Sequence, residues 1–142
     1  MELIKQLKEE HVEIMRALES IKKNVSKGKS EEVDLIDELR ELKNVLVAHL
    51  GLEDKMLYPS LANSGDKETQ ELGVKFSNEM LGISKAALAF FEKYMSETIE
   101  NLLKNLEFKK ELDGIIQAVT KRVNAEENIL FSAYEKCCGG KK

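Results

Sequence analysis

Tryptophan is absent, proline occurs once, as Pro59, and the only two cysteines, Cys137 and Cys138, are neighbours. With so little proline, long helices can run unbroken. Adjacent cysteines cannot tie distant parts of a fold together, so a disulfide framework is excluded. No apolar run approaches the roughly 20 residues that a membrane-spanning helix needs. The opening stretch MELIKQLKEEHVEIM is amphipathic and acidic where a secretory signal is basic and then apolar. The expectation is a cytoplasmic protein with no membrane partner. A basic excess is missing as well: the net charge is −4, with Lys and Arg scattered among Asp and Glu. Nucleic acid has no positive face to bind.

What is present is a helical pattern. The 142 residues, 42% hydrophobic and 34% charged, suffice for one core and fall short of two, so one domain over residues 1–142 is expected. Residues 2 to 24 place Leu3, Leu7, His11, Ile14, Leu18 and Ile21 at spacings of three and four, which makes one helical stripe with His11 inside it. VSKGKSEE is a turn, with Ser30 as N-cap and Glu31 and Glu32 at the positive end of the next helix. That second helix is expected to run to Tyr58, where Pro59 marks its end. After the loop ANSGDKE, a third helix runs from about Lys67 through Leu72, Phe76, Met80, Ile83, Leu88, Phe91 and Met95, ending near Glu97 to Asn101. Asn105 caps a fourth, which carries Leu112, Ile115, Ile116, Val119, Val123, Leu130 and Phe131 and frays before Cys137. Four helices with short loops predict an all-α protein, an antiparallel up-down-up-down four-helix bundle of two hairpins, at about 1–62 and 66–138.

The two hairpins repeat one phrase. AHLGLEDKMLYPSL returns as KRVNAEENILFSAY; an offset of 73 residues pairs Glu53 with Glu126, Leu57 with Leu130, Tyr58 with Phe131, and His49 with Arg122. In the preceding helices EEHVEI matches NEMLGI, so His11 falls opposite Met80. His49 and Glu53, four apart on a helix, project from one face and reach a common point. An imidazole and a carboxylate inside a bundle are ligands for iron, manganese or zinc.

His11 within EEH, His49 and Glu53 within HLGLEDKMLYPSL, and AEENILF late in the chain together resemble a hemerythrin-type domain, the HHE cation-binding family. That resemblance implies a four-helix bundle around a non-haem di-iron centre. Carried over, it makes His11 and His49 ligands of one metal, with Glu53 and Glu126 as the carboxylates that bridge two. The second metal's histidines are missing: Met80 and Arg122 stand in their places, and Ser84 at an optional one. A guanidinium cannot ligate a metal but pairs well with carboxylates. Arg122 is therefore expected to occupy the place of the second ion. Glu79 is a candidate substitute ligand, although one residue along a helix turns a side chain by about 100°.

The expectation is one metal ion per chain, iron favoured, with two ions, zinc or none as alternatives. Oxygen carriage in the family draws on the electrons of two ferrous ions, so a role in iron, oxygen or nitric oxide sensing or in storage is expected, with a small gas as possible ligand. The competing reading is a metal-free bundle used as an interaction or structural module, its buried acids paired with Arg122, Lys55 or Lys85. A di-iron carboxylate enzyme is disfavoured, because its Glu-x-x-His pairs do not occur. The blander readings make Met15, Met56, Met80, Met95, Phe90 and Phe91 core filling and the paired acids at 9–10, 31–32 and 126–127 solvated faces, Glu126 excepted. Cys137 and Cys138 are expected as exposed thiols, with soft-metal binding, a disulfide or a link between chains as alternatives.

Overall fold

The computed structural model describes residues 2–27 and 34–139. The chain folds into α1 (Glu2–Lys27), α2 (Asp34–Leu52), α3 (Tyr58–Ala62), α4 (Lys67–Tyr94), α5 (Ile99–Lys104), α6 (Leu106–Ala125) and α7 (Phe131–Tyr134). The long helices α1, α2, α4 and α6 form a closed ring in which each packs on two neighbours, α1 and α4 both touching α2 and α6. Successive long helices are antiparallel. Ser20 and Asn24 at the end of α1 hydrogen-bond Glu38 near the start of α2, and Lys93 at the end of α4 pairs with Glu111 near the start of α6. The all-α bundle expected from the periodicity is the observed fold.

Local chemistry sets the helix starts. The Asp66 carboxylate accepts from Thr69 N at 3.0 Å and Thr69 Oγ1 at 2.7 Å to open α4, and Asn105 Oδ1 accepts from Phe108 N at 3.0 Å to open α6. The expected cap at Ser30, with Glu31 and Glu32, lies outside the described residues. Helix α4 stops at Tyr94, earlier than expected, because Thr98 caps the additional short helix α5, whose Leu102 is fully buried. Its inner stripe also turns: Ala87, Phe90 and Tyr94 are buried while Leu88 is exposed.

Pro59 does not end the second helix. One π-helical turn, Glu53–Leu57, follows α2, and the Tyr58 N–H bonds back to the Glu53 carbonyl, five residues away. The wider turn puts Pro59 in the first turn of α3, where a missing N–H is tolerated. The same device recurs at the repeated phrase: π turn Glu126–Leu130 joins α6 to α7, with the Phe131 N–H bonded to the Glu126 carbonyl. A further π turn, Glu135–Gly139, carries the cysteines, and there Cys137 and Cys138 are joined in a disulfide and half-buried rather than exposed thiols.

The core has two apolar clusters. One contains Ile14, Leu18, Ile21, Leu39, Phe91 and Phe108; the other contains Ile4, Leu7, Leu57, Leu61, Phe76 and Phe131. Between them lies a polar layer of His11, His49, Glu53, Arg122 and Glu126, each under a tenth exposed. A fully buried Leu or Phe contributes roughly 2 kcal/mol, whereas each ion taken out of water costs several kcal/mol before pairing. The polar layer weakens a bundle that aliphatic residues would hold better. Such a layer calls for an explanation in function.

Candidate metal centre

Four helical segments deliver the two histidines and two glutamates of the polar layer. His11 comes from the middle of α1, His49 from the last turn of α2, Glu53 from the first π turn and Glu126 from the second. One ligand atom from each lies within 4.8 Å of the other three, and the two imidazole centroids are 4.7 Å apart. His11 Nε2 stands 2.9 Å from Glu126 Oε1; His49 Nε2 stands 3.0 Å from Glu53 Oε2 and 3.8 Å from Glu126 Oε1. The four residues expected as ligands converge.

The outer sides of the rings explain why. His11 Nδ1 is 2.7 Å from Glu127 Oε2, and His49 Nδ1 is 2.7 Å from Glu10 Oε1. Each outer nitrogen is thus placed to donate its N–H to a carboxylate, which turns a bare Nε2 inward, the arrangement that orients metal-binding histidines. Phe131 stacks on His11 at 5.4 Å and fixes its plane. The pairs cross, since the acid beside one ligand serves a histidine on another helix. Glu10 and Glu127 were expected to be solvated, and that reading is corrected: both are half-buried and hydrogen-bonded. Their adjacency to His11 and Glu126 is the only signal the sequence carries for them.

With Nε2 lone pairs facing carboxylate oxygens at 2.9 and 3.0 Å, the inner contacts are repulsive unless a cation lies between them. Four acids, Glu10, Glu53, Glu126 and Glu127, then face one arginine. A proton can fill the role. Burial alone would lower the His49 pKa, but the hydrogen bonds it donates to Glu126, Glu53 and Glu10 outweigh it and raise the ring to about 10. Burial and the neighbouring Glu126 charge raise Glu53 to about 7, against the pull of His49. Glu126 moves the other way: burial pushes it up, yet hydrogen bonds from His11 and His49 and the Arg122 charge hold it well below the usual carboxylate range.

A divalent ion fits the same place better than protons do. Glu53 Oε2 is fully buried and, despite its 3.0 Å approach to His49, makes no hydrogen bond of acceptable geometry. Two imidazoles and two carboxylates suit iron, manganese or zinc.

Arg122 occupies the other side of the carboxylates. It is 6% exposed, its Nε donates to Glu126 Oε2 at 3.1 Å, and one terminal nitrogen donates to Tyr58 Oη at 2.8 Å and the Phe76 carbonyl at 2.6 Å. The guanidinium also stacks on the Phe76 ring at 4.6 Å. Glu79 lies 3.5 Å from the remaining nitrogen and is half-exposed, so it faces Arg122 and not the cage, as its one-residue offset requires. Lys55 and Lys85, considered as partners for the acids, are exposed. Met80 is buried and, with Ile83, Ser84, Leu46 and Leu50, lines an apolar cavity of about 20 Å³ beside the cage, room for one water-sized molecule. Met56, expected in the core, is exposed.

No described helix is long and apolar enough to cross a membrane. Comparison with curated proteins and with solved structures finds no match. Residues 2–134 match the family described as the hemerythrin HHE cation binding domain, whose members bind metal, usually iron. With the match covering nearly the whole sequence, the bundle and its His/Glu cluster place the chain in the hemerythrin HHE cation-binding domain family.

Proposed function

We propose that this chain holds one iron ion per molecule through His11, His49, Glu53 and Glu126, and acts in the cytoplasm as a sensor or store in iron, oxygen or nitric oxide response rather than as an oxygen carrier. The observation that carries the reading is the inward pair of Nε2 atoms, each with an acid behind its own ring, together with the buried Glu53 Oε2 that faces His49 without a hydrogen bond. An iron ion in the cage supplies one exchangeable electron and a coordination position for a small ligand. The protein's share is to orient both rings, exclude bulk water with the apolar clusters above and below, and give any guest a cavity of about 20 Å³ beside the rings. Arg122 takes the position of a second metal, and a guanidinium, which has no redox chemistry, leaves the centre without the second electron on which reversible oxygen carriage depends.

The test is metal analysis of protein purified without chelator. One iron per chain, lost in His49→Ala, is the expected result. Two irons would contradict the role of Arg122. A folded chain that takes up no iron, manganese or zinc would favour the metal-free interaction module instead.

A further inference from the structure

Tyr58, like His49, is a position at which the two repeated phrases differ. The offset that pairs His49 with Arg122 pairs Tyr58 with Phe131, and Arg122 and Tyr58 touch: the Arg122 terminal nitrogen donates to Tyr58 Oη at 2.8 Å. The phenol in turn points its O–H at Glu53 Oε1, 3.4 Å away. A continuous chain therefore runs from Glu126 Oε2 through Arg122 and Tyr58 to Glu53 Oε1. It ties up the outer oxygen of each carboxylate and leaves Glu53 Oε2 and Glu126 Oε1 turned toward the histidines.

Core packing does not account for the hydroxyl. Tyr58 is 8% exposed within the lower apolar cluster, where Phe131, its counterpart, packs against His11 with no hydroxyl. Taking a hydroxyl out of water is unfavourable unless it finds partners. Both of its partners here belong to the carboxylate network.

We propose that Tyr58 is a positioning residue which, with Arg122, restricts the centre to one metal ion by holding the outer oxygens of Glu53 and Glu126 away from a second. The inference rests on the metal-binding reading above and adds to it a determinant of stoichiometry. Arginine neutralises one carboxylate and tyrosine occupies the other, so each acid has a single oxygen to offer the cage.

The test uses cobalt(II) as the probe, titrated without oxygen into metal-free wild type, Tyr58→Phe, Arg122→His and the double variant. Binding stoichiometry and visible ligand-field absorption are both followed. Wild type is expected to take one equivalent. Arg122→His is expected to take a second weakly, and the double variant to take that second equivalent ~10-fold or more tightly, as loss of a hydrogen bond competing for a carboxylate oxygen implies. Equal second affinities in Arg122→His and the double variant would overturn the inference and leave the one-metal reading standing. No cobalt in wild type would overturn the one-metal reading itself. If circular dichroism shows that Arg122→His does not fold, Tyr58→Phe decides alone. The freed Glu53 oxygen is then expected to raise the coordination number and weaken the absorption about twofold; a spectrum identical to wild type overturns the inference.

Discussion

Glu10 and Glu127 differ from their neighbours Glu9 and Glu126 by one position in sequence and by everything in role. Glu9 is exposed, while Glu10 reaches across to His49 Nδ1 at 2.7 Å. Carboxylates behind metal-binding histidines usually carry ~10–100-fold of metal affinity. Glu10→Ala is therefore expected to weaken iron binding by about that factor without changing its stoichiometry, and Glu9→Ala to leave it unaltered, as chelator competition would measure. Equal losses from both would mean that surface charge, not ring orientation, is at work. The run EE read as a solvated face because adjacent residues on a helix point about 100° apart, and nothing local says which of the two meets a partner.

At the scale of elements, the fold gains its site from two π turns placed symmetrically. Each opens with a buried glutamate, Glu53 or Glu126, and such turns are rare and concentrate at functional positions. The first turn leads to α3, which packs closely on α4 at Gly73, where an added Cβ would lie 2.9 Å from Leu61 Cβ. That atom sits next to the backbone and cannot swing away. Gly73→Ala is expected to lower stability by about 1–2 kcal/mol in denaturant unfolding, since overpacking outweighs a gain of nearly 1 kcal/mol in helix propensity. Gly82→Ala, in the same helix with nothing within 4 Å, is expected to stabilise by a few tenths to about 1 kcal/mol. Like signs for the two would show that α3 yields to the intrusion.

For the whole molecule, a polar layer between two apolar clusters makes stability depend on what cation fills the layer. In the metal-free protein, His49 moves from 6.5 unfolded to about 10 folded, so its contribution is complete below about pH 6.5 and disappears as pH rises through about 10. Glu53 moves from 4.5 to about 7, so the cost of ionising it inside the fold develops as pH rises across that interval. Both trends point the same way; Glu126, shifted downward, opposes them only in acid. Thermal melts of metal-free protein are expected to fall between about pH 6 and about pH 9. With iron(II) or zinc at ~100 times its dissociation constant, the fold gains about 2.7 kcal/mol, and the fall is expected to flatten because the ion replaces the protons. Parallel pH profiles with and without metal would contradict a cation site in the layer.

By itself the sequence determined the bundle and the paired phrase, because helical periodicity and a fixed offset report which residues share an inner face, and its resemblance to the hemerythrin-type family pointed to His11, His49, Glu53 and Glu126. It could not report partners. The contacts of His11 with Glu127, His49 with Glu10 and Arg122 with Tyr58 join residues 116, 39 and 64 positions apart, and the continuation past Pro59 depends on a π turn that propensity does not foresee. Only the tertiary structure decided these, since a helix face specifies a direction, while a hydrogen bond between helices also needs the distance and rotation set when their apolar faces pack.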